Sequence, residues 1–364
     1  MFDMKPVRQK GQALPVGVGV GLLAAALFGL STPFAKLLTG HVPPVLLAGL
    51  LYFGSGIGLS ILYFMRHTAR EAPLKHTDIP WLAGAVLFGG IIAPVLLMLG
   101  LKSTTASTAS LLLNLEGVFT AMLAWFIFRE HFDRRIAVGM GLIVVGGVTL
   151  SWQAGHLSLP LGSLAIAGAC LCWGIDNNLT QKVSAGNPYQ VAAIKGTVAG
   201  AVNLGLAVLL GATLPPPLTT GAAMLIGFLG YGLSLVFFVL ALRHLGTART
   251  GAYFSLAPFV GAIVSLLLLH EPLGLRFQIA AIFMGVGVWL HLTERHQHGH
   301  LHERMLHTHL HNHDEHHEDK GGHYEDEHVA GADGTEPHPH EHLHEPINHQ
   351  HAHFPDLHHR HEHL

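Results

Sequence analysis

The sequence predicts an all-α membrane protein: ten transmembrane helices arranged as two inverted five-helix repeats, followed by a disordered tail. The first observation behind this is the balance of residues. Charged residues make up 12% of the chain and hydrophobic ones 50%, against about 25% charged in an average soluble domain. The second is a sharp change of character after Leu290. Residues 1–290 hold 16 Lys/Arg and 8 Asp/Glu, a formal charge of +8. Residues 291–364 hold 4 and 15, a charge of −11, and the two sum to the −3 of the whole chain. The third is an internal likeness between two stretches 141 residues apart. This composition argues against a soluble enzyme, a secreted disulfide scaffold and a nucleic-acid-binding domain.

A bilayer core of about 30 Å takes roughly 20 apolar residues per helix. Ten windows meet that need: 13–38, 44–65, 81–101, 104–127, 136–152, 162–181, 188–212, 220–242, 248–269 and 276–292. Pro43-Pro44, Pro80, Pro160, Pro188 and Pro215-Pro216-Pro217 punctuate the connections. Gly17 and Gly21, Gly54 and Gly58, and Gly196 and Gly200 have the spacing at which helices approach closely in lipid. Some of these runs imitate a dinucleotide-binding glycine pattern, but no strand precedes them, so nucleotide binding is discarded. Residues 1–12 form a basic N-terminal segment with Lys5, Arg8 and Lys10. The apolar run after it lacks a convincing cleavage site and is expected to stay as the first helix. Cys170 and Cys172, two apart on a helix, do not face each other. They read as packing residues and imply no oxidising compartment.

Orientation follows from the lysines and arginines near the span ends. With the N-terminus inside, the inner segments carry Lys5, Arg8, Lys10, Arg66, Arg70, Lys75, Arg129, Arg134, Arg135, Lys182, Arg243 and Arg249, and the outer loops only Lys102 and Arg276. Ten spans then return the C-terminus to the cytoplasm, in a bacterial-type inner membrane.

Sliding the chain by 141 residues aligns 99–150 with 240–291 without a gap. Leu99, Leu101, Leu115, Ala121, Glu130, Arg135, Val145 and Gly146 meet Leu240, Leu242, Leu256, Ala262, Glu271, Arg276, Val286 and Gly287. Phe28-Gly29 resembles Trp173-Gly174 in the same sense. The repeats are expected at 13–152 and 162–292. Five spans per unit force the second copy to enter the membrane inverted, which is the plan of many secondary transporters with a site between their halves.

The stretch from Leu111 to Ala121, with Asn114, Glu116, Gly117 and Phe119, and its terminal Arg129-Glu130 resembles the EamA-type members of the drug/metabolite transporter superfamily. Pro258-Phe259 and His270-Glu271-Pro272-Leu273 are the counterpart in the second half. The resemblance covers about 13–292 and excludes the tail. It implies a ten-helix inner-membrane carrier exporting small metabolites, and not an enzyme. In one departure, Gly117 stands where the family often has proline, which Pro258 keeps in the second half.

An ionisable group near a helix centre costs about 2.5–3.5 kcal/mol on insertion scales, so each one asks for a reason. Glu116 has twelve residues of its window before it, about 18 Å at 1.5 Å per residue. A carboxylate there can hold a proton, pair with a cation or ligate a metal, or it can be a protonated group bonded to a neighbouring helix. Asp176 and Lys195 lie at similar depth in consecutive windows and suit an ion pair. With Asn177 and Asn178 they make that region polar enough for a water-filled cavity. Glu116, Asp176, Asn177 and Lys195 are therefore the substrate or coupling candidates. Asn114 is expected to point elsewhere, Lys36 to snorkel to the interface, and Glu130 and Glu271 to pair with nearby arginines.

Residues 293–364 hold no apolar periodicity and are expected to be a disordered, acidic, metal-binding tail. Histidines recur as His-x-His: His296, His298, His300 and His302; His307, His309, His311 and His313; His338, His340, His342 and His344; His349, His351 and His353; and, with His358 and His359, His361 and His363. In an extended chain, alternate residues share a face at about 6.6 Å. Most imidazoles are neutral near pH 7. Imidazole with carboxylate suits Ni²⁺, Co²⁺, Zn²⁺ or Cu²⁺. The spread of the histidines excludes a contiguous expression tag.

The function expected is a secondary carrier, with no ATP-binding motif and no required cofactor. Its cargo is either a divalent metal ion gathered by the tail or a small organic metabolite, and the third reading is a membrane-anchored metal buffer or sensor. The expected partners are membrane lipid and that small-molecule or metal-ion substrate, with a homodimer left open and no nucleic acid.

Overall fold

The computed structural model describes residues 16–66, 74, 76–128, 134–152, 160–183, 187–292, 297–302, 305–311, 338–344 and 347–352, the last four stretches by their backbone alone. The chain divides into two compact units, residues 1–294 and 295–364. The first is a helical bundle. In order it holds α1 (Val16–Leu38), α2 (Pro44–Arg66), α3 (Ile79–Ala85), α4 (Ala93–Ser103), α5 (Ala106–Leu112), α6 (Leu115–Phe128), α7 (Arg134–Ser151), α8 (Leu161–Val183), α9 (Pro188–Leu209), α10 (Pro217–Gly227), α11 (Ser234–Phe254), α12 (Ala257–Leu268) and α13 (Leu275–Leu292).

Local chemistry sets several of these boundaries. Asn187 caps α9, its Oδ1 accepting from the amides of Tyr189 at 2.9 Å and Gln190 at 3.2 Å, and Pro188 takes the first helical position. At the other end Gly211 adopts φ +80°. The amide of Ala212 reaches the carbonyl of Ala207 and that of Gly211 the carbonyl of Val208, which closes the helix in a Schellman turn.

Two further segments are π-helical and bridge α-helices: Val86–Ile92 between α3 and α4, and Phe228–Leu233 between α10 and α11. Each is pinned by a five-residue bond, Ala93 N–H to Phe88 O and Ser234 N–H to Leu229 O. They lie 142 residues apart at their starts, close to the 141-residue sequence shift. The helix breaks follow the same shift: α5 gives way to α6 at Leu113-Asn114, and α11 to α12 at Ser255-Leu256. The first break forms despite Gly117, which lies within α6.

The two halves interlock rather than stand side by side. α2 packs on α9 and α7 on α13, while α1 packs against α11 and α12, and α8 against α4 and α6. The α2–α9 contact is close enough to demand glycine on both sides. A Cβ on Gly196 would sit 2.6 Å from the Gly56 amide nitrogen.

The ten expected spans are corrected to seven. Among the described residues, seven helices are long and apolar enough to cross a membrane: Gly17–Leu38, Pro44–Met65, His76–Ser103, Ala106–Phe126, Arg134–Ser151, Pro188–Leu209 and Pro217–Ala241. The window 162–181 drops out, since Asp176-Asn177-Asn178 lies inside α8. The last two windows shrink to Ala257–Leu268 and Leu275–Leu290, short of the roughly 20 residues a crossing takes. Five spans per repeat, the inversion that odd number forced, and the even count that returned the C-terminus inside lose their basis with it.

The tail also departs from expectation. Its backbone forms β1 (Gln297–His302), β2 (Met305–His311), β3 (His338–His344) and β4 (Ile347–Ala352). β1 pairs antiparallel with β4, and β2 with β3. These short strands are not among the expected elements, and an alternation of His with Leu, Thr or Gln has the period of a strand. The N-terminal segment 1–12 lies outside the described residues.

Candidate functional site

Three side chains of α8 spaced by three or four residues, Trp173, Asp176 and Thr180, with Asn177 beside them, turn to the same part of the bundle. Asp176 is buried and doubly engaged. Its Oδ1 accepts from the Thr180 hydroxyl at 2.9 Å, and its Oδ2 takes the ammonium of Lys195 from α9 in a buried ion pair. The side chains are 5% and 9% exposed, so each charge depends on the other to offset its desolvation.

Glu116 stands at the centre of the span Ala106–Phe126, ten residues from either end. Its Oε1 accepts from Asn177 Nδ2 at 2.9 Å, and the same amide group reaches the Thr120 hydroxyl at 3.2 Å. Asn177 is exposed and Glu116 half-buried, so this pair forms the open edge of the polar group. Asn178 turns inward, donating to Gly174 O at 2.8 Å and Thr120 O at 3.2 Å, and so fastens α8 to α6. Glu116 lies within electrostatic range of both Asp176 and Lys195. The four sequence candidates thus come together on α6, α8 and α9. Asn114, as a buried residue, donates instead to its own Leu111 carbonyl at 2.9 Å.

The first π-helical segment forms the floor of this group. Gly89 packs directly on the Asp176 carboxyl, where a Cβ would come 2.6 Å from Asp176 Cβ. Its carbonyl accepts from Tyr52 Oη at 2.7 Å and Trp173 Nε1 at 3.0 Å, and Asn203 Nδ2 donates to the carbonyls of Gly90 and Ile91, both at 3.3 Å. A π turn has poorer internal bonding than an α turn, and side chains from three helices take up its carbonyls here. The second π-helical segment repeats the packing without the charge. Gly230 lies on Ser31 of α1, where a Cβ would come 2.5 Å from Ser31 Cβ. Tyr231 beside it meets the ring of Tyr52 at 5.4 Å and that of Phe28 at 5.9 Å, and Phe28 in turn meets Trp173 at 6.2 Å. The hydroxyl of Tyr231 and Oδ1 of Asn203 are buried without a hydrogen-bond partner.

Tyr52, Trp173, Asn203 and Tyr231 escape the sequence reading. Aromatic and amide residues in apolar helices look like packing, and the signal that marks them is the glycine pairs Gly89-Gly90 and Gly230-Tyr231-Gly232, which sit in both π turns.

Two surface expectations change. Lys36 does not snorkel; it donates to the carbonyls of Leu101 and, at 2.7 Å, Thr104, at the C-terminal end of α4. A cation is favoured there by the helix dipole. Among the described residues, Glu271 pairs with backbone amides rather than with arginine. Its carboxylate accepts from the amides of Ala106 at 2.7 Å and Ser107 at 2.8 Å and caps α5. His270, at φ 51°, turns the chain after α12 so that Glu271 can reach. Arg276 donates to Trp152 O at 2.8 Å instead. Glu130 lies outside the described residues. Cys170 is buried, and both cysteines are free.

Of the tail histidines proposed as metal ligands, His296, His313, His353, His358, His359, His361 and His363 lie outside the described residues. The other twelve fall on the four strands. Among the described side chains, no three His, Cys, Asp or Glu come together as a metal site.

Comparison with known proteins places the whole helical unit. The EamA-like transporter family model matches twice, over residues 15–152 and 160–293. An uncharacterized transporter of Methanothermobacter thermautotrophicus is 30% identical over 74% of this chain and 84% of its own length. The uncharacterized transporter YyaM of Bacillus subtilis is 23% identical over 74% of this chain and 90% of its own. A protein of Salmonella typhimurium named "probable amino-acid metabolite efflux pump" is 26% identical over 46% of this chain and 54% of its own. A solved crystal structure shares the fold, with a TM-score of 0.59 and 18% identity over 76% of this chain and 96% of that one.

Proposed function

Since this chain belongs to the EamA-like transporter family, a family of multi-pass transporters and not of enzymes, we propose that it is a secondary active exporter of a small organic solute. The observation that carries the reading is the polar group at depth: Glu116 bonded to Asn177 at an open edge, beside the buried Asp176–Lys195 pair. Ionisable groups in membrane segments mark substrate or proton pathways. A solute carrying both an amino and an acid group matches the Asp176–Lys195 pair by exchange, its ammonium taking the place of Lys195 and its carboxylate that of Asp176 as the pair opens. The amino-acid efflux name of the Salmonella relative supports the same class. Glu116 is the group free to exchange a proton, because its one hydrogen bond is to a neutral amide at the exposed edge. The site is exposed in turn to each side of a bacterial-type inner membrane as the two halves move against one another, driven by an ion or proton gradient.

A metal cargo is the second reading, and the histidines after residue 291 favour it. The described bundle side chains bring together no metal-binding group, so the tail is read as a metal-responsive element on an organic carrier. Its imidazoles would bind Ni²⁺, Co²⁺, Zn²⁺ or Cu²⁺ near pH 7.5 and release them as the pH falls through about 6.5.

Uptake into proteoliposomes, with a panel of amino acids and of Ni²⁺, Co²⁺ and Zn²⁺, tests the reading. Organic flux is the expected result, and flux of a metal alone overturns it. With the solute so identified, Glu116→Gln keeps the volume and the hydrogen bond while removing the titration. Transport falls to background while the purified protein stays folded. Wild-type flux with an unchanged pH profile would take Glu116 out of the mechanism.

A further inference from the structure

The four tail strands put histidine opposite histidine. In β2 and β3 the register sets His307 against His342, His309 against His340, and His311 against His338. In β1 and β4 it sets His298 against His351 and His300 against His349. The two ladders share one register: moving inward from Gln297 to Met305 on one arm, eight residues, moves the other from Ala352 to His344, also eight.

This phase is not automatic. In antiparallel pairing a slip of one residue changes which face each residue meets, and here it would set every histidine against a leucine, threonine, glutamine or other residue. In the observed register the remaining positions of β2 and β3 pair Met305 with His344, Leu306 with Leu343, Thr308 with Glu341 and Leu310 with Pro339, and at the end of β1 and β4 His302 meets Ile347. By the period of two, His307, His309 and His311 share one face of β2 with their partners of β3, and Leu306 and Leu310 take the other.

A two-stranded ribbon is marginal in water on its own, and joining β2 to β3 closes the chain between His311 and His338 at an entropic cost. An ion held across the strands supplies what the ribbon lacks. Residues directly opposite lie about 4.5–5.5 Å apart at Cβ, and neighbouring rungs on one face are about 6.6 Å apart. Two adjacent rungs therefore bring four histidine positions together along the ribbon, the ligand number of a tetrahedral site.

We propose that the tail is a metal-stapled β-ribbon in which divalent ions bind between adjacent histidine rungs, one site on the His298/His351 and His300/His349 rungs and one centred on the His309/His340 rung. This rests on the reading of the tail as a metal-responsive element and gives it a structure: the ion orders the segment, and its loss on acidification or chelation releases it.

The test is a comparison of double variants in the full-length protein, with Ni²⁺ as the probe at pH 7.5. His309→Gln with His340→Gln removes one rung. His309→Gln with His351→Gln removes the same number of imidazoles but spoils both ladders. If the register holds, the same-rung variant keeps the tight ion of the β1–β4 ladder and loses only that of β2–β3. The split variant loses both, with half-saturation rising at least about tenfold. Equal losses in the two variants overturn the ribbon and leave a metal-binding tail in place. A wild-type chain that retains no Ni²⁺ at pH 7.5 overturns the metal-responsive reading and the ribbon together.

Discussion

Gly89 in the first half of the bundle packs on Asp176 of α8, and Gly230 in the second half packs on Ser31 of α1. The backbones around these two glycines are alike: each lies in a π-helical segment that joins two α-helices, and each half breaks a later helix near the same point. The side chains differ. Ser31 is neutral and donates to its own Phe28 carbonyl at 2.6 Å, whereas Asp176 carries a charge that Lys195 must balance. At the 141-residue shift, Glu116 corresponds to Ala257, which is buried and apolar. The fold therefore accommodates a neutral residue at each of these places, because it does so in one of its own halves. Charges kept where architecture does not need them serve something other than architecture, and that is the physical case for the α6–α8–α9 group as the working site.

The sharpest way to test the contrast is to remove a charge on one side and a hydroxyl on the other. Lys195→Met leaves the Asp176 carboxylate buried and unpaired, a loss of about 3–5 kcal/mol, and little folded protein should survive purification. Ser31→Ala should cost no more than about 1 kcal/mol. Replacing both charged partners, Asp176→Leu with Lys195→Met, should restore thermal stability close to wild type, since buried ion pairs are often matched by apolar residues. It should not restore transport. A double variant that transports would make the pair structural and end the contrast between the halves.

The glycines give the next largest effect. Gly89→Ala and Gly230→Ala each force a methyl group into occupied space, with an expected loss of about 1–3 kcal/mol in thermal unfolding. They should differ in repair. Ser31→Gly makes room for Gly230→Ala and should recover both stability and flux. Gly89→Ala pushes on the Asp176 carboxyl itself, so flux should fall further than stability does. Equal flux in the two alanine variants would show that the first π-helical segment does no more for the site than the second.

Much of this was legible in the residues alone, for a physical reason. A charge in an apolar run is costly, so Glu116, Asp176 and Lys195 stand out without a structure, and the gapless shift of 141 residues anticipates the paired helix breaks. Other features could not be read because their residues carry no such cost. Tyr52, Trp173 and Tyr231 are ordinary packing residues by type, and only the released carbonyl of Gly89 gives two of them a polar task. Counting apolar windows also tolerated what the folded helices do not. It accepted three consecutive polar residues in α8 and ran 248–269 as one span although the chain turns at Ser255-Leu256. The histidine alternation was visible, but an alternation that suits chelation also suits a strand, and the period alone does not show what lies opposite.

The Glu271 cap compares two ends of one device and carries a smaller effect. Glu271→Ala removes the acceptor for the Ala106 and Ser107 amides, at a cost typical of a lost helix cap, about 1–2 kcal/mol. That corresponds to a fall of about 1–3 °C in melting temperature for a chain of 364 residues. Lys36→Met acts on the neighbouring α4 carbonyls and, at the same joint, should lower it further when combined with Glu271→Ala. An unchanged melting temperature in the double variant would mean that this joint between α4 and α5 holds without its two charged partners.

The smallest expected effect sets the helical unit against the tail. Residues 295–364 form a compact unit separate from residues 1–294, and the family model ends at residue 293. Deleting 296–364 removes three Lys/Arg and fourteen Asp/Glu, a formal charge of −11, and leaves residues 1–295, which hold the whole family match, at +8. The bundle's thermal unfolding should therefore shift by no more than about 0.5 kcal/mol, the scale of changes that touch no buried contact. Flux of the organic solute without metal should stay at the wild-type rate. What should disappear is any dependence of that flux on Ni²⁺ or Zn²⁺, because a tethered ligand array acts by raising local concentration and is lost with its tether. If truncation abolished flux in the absence of metal, the tail would belong to the carrier mechanism itself, and the division between a working bundle and a responsive appendage would have to be abandoned.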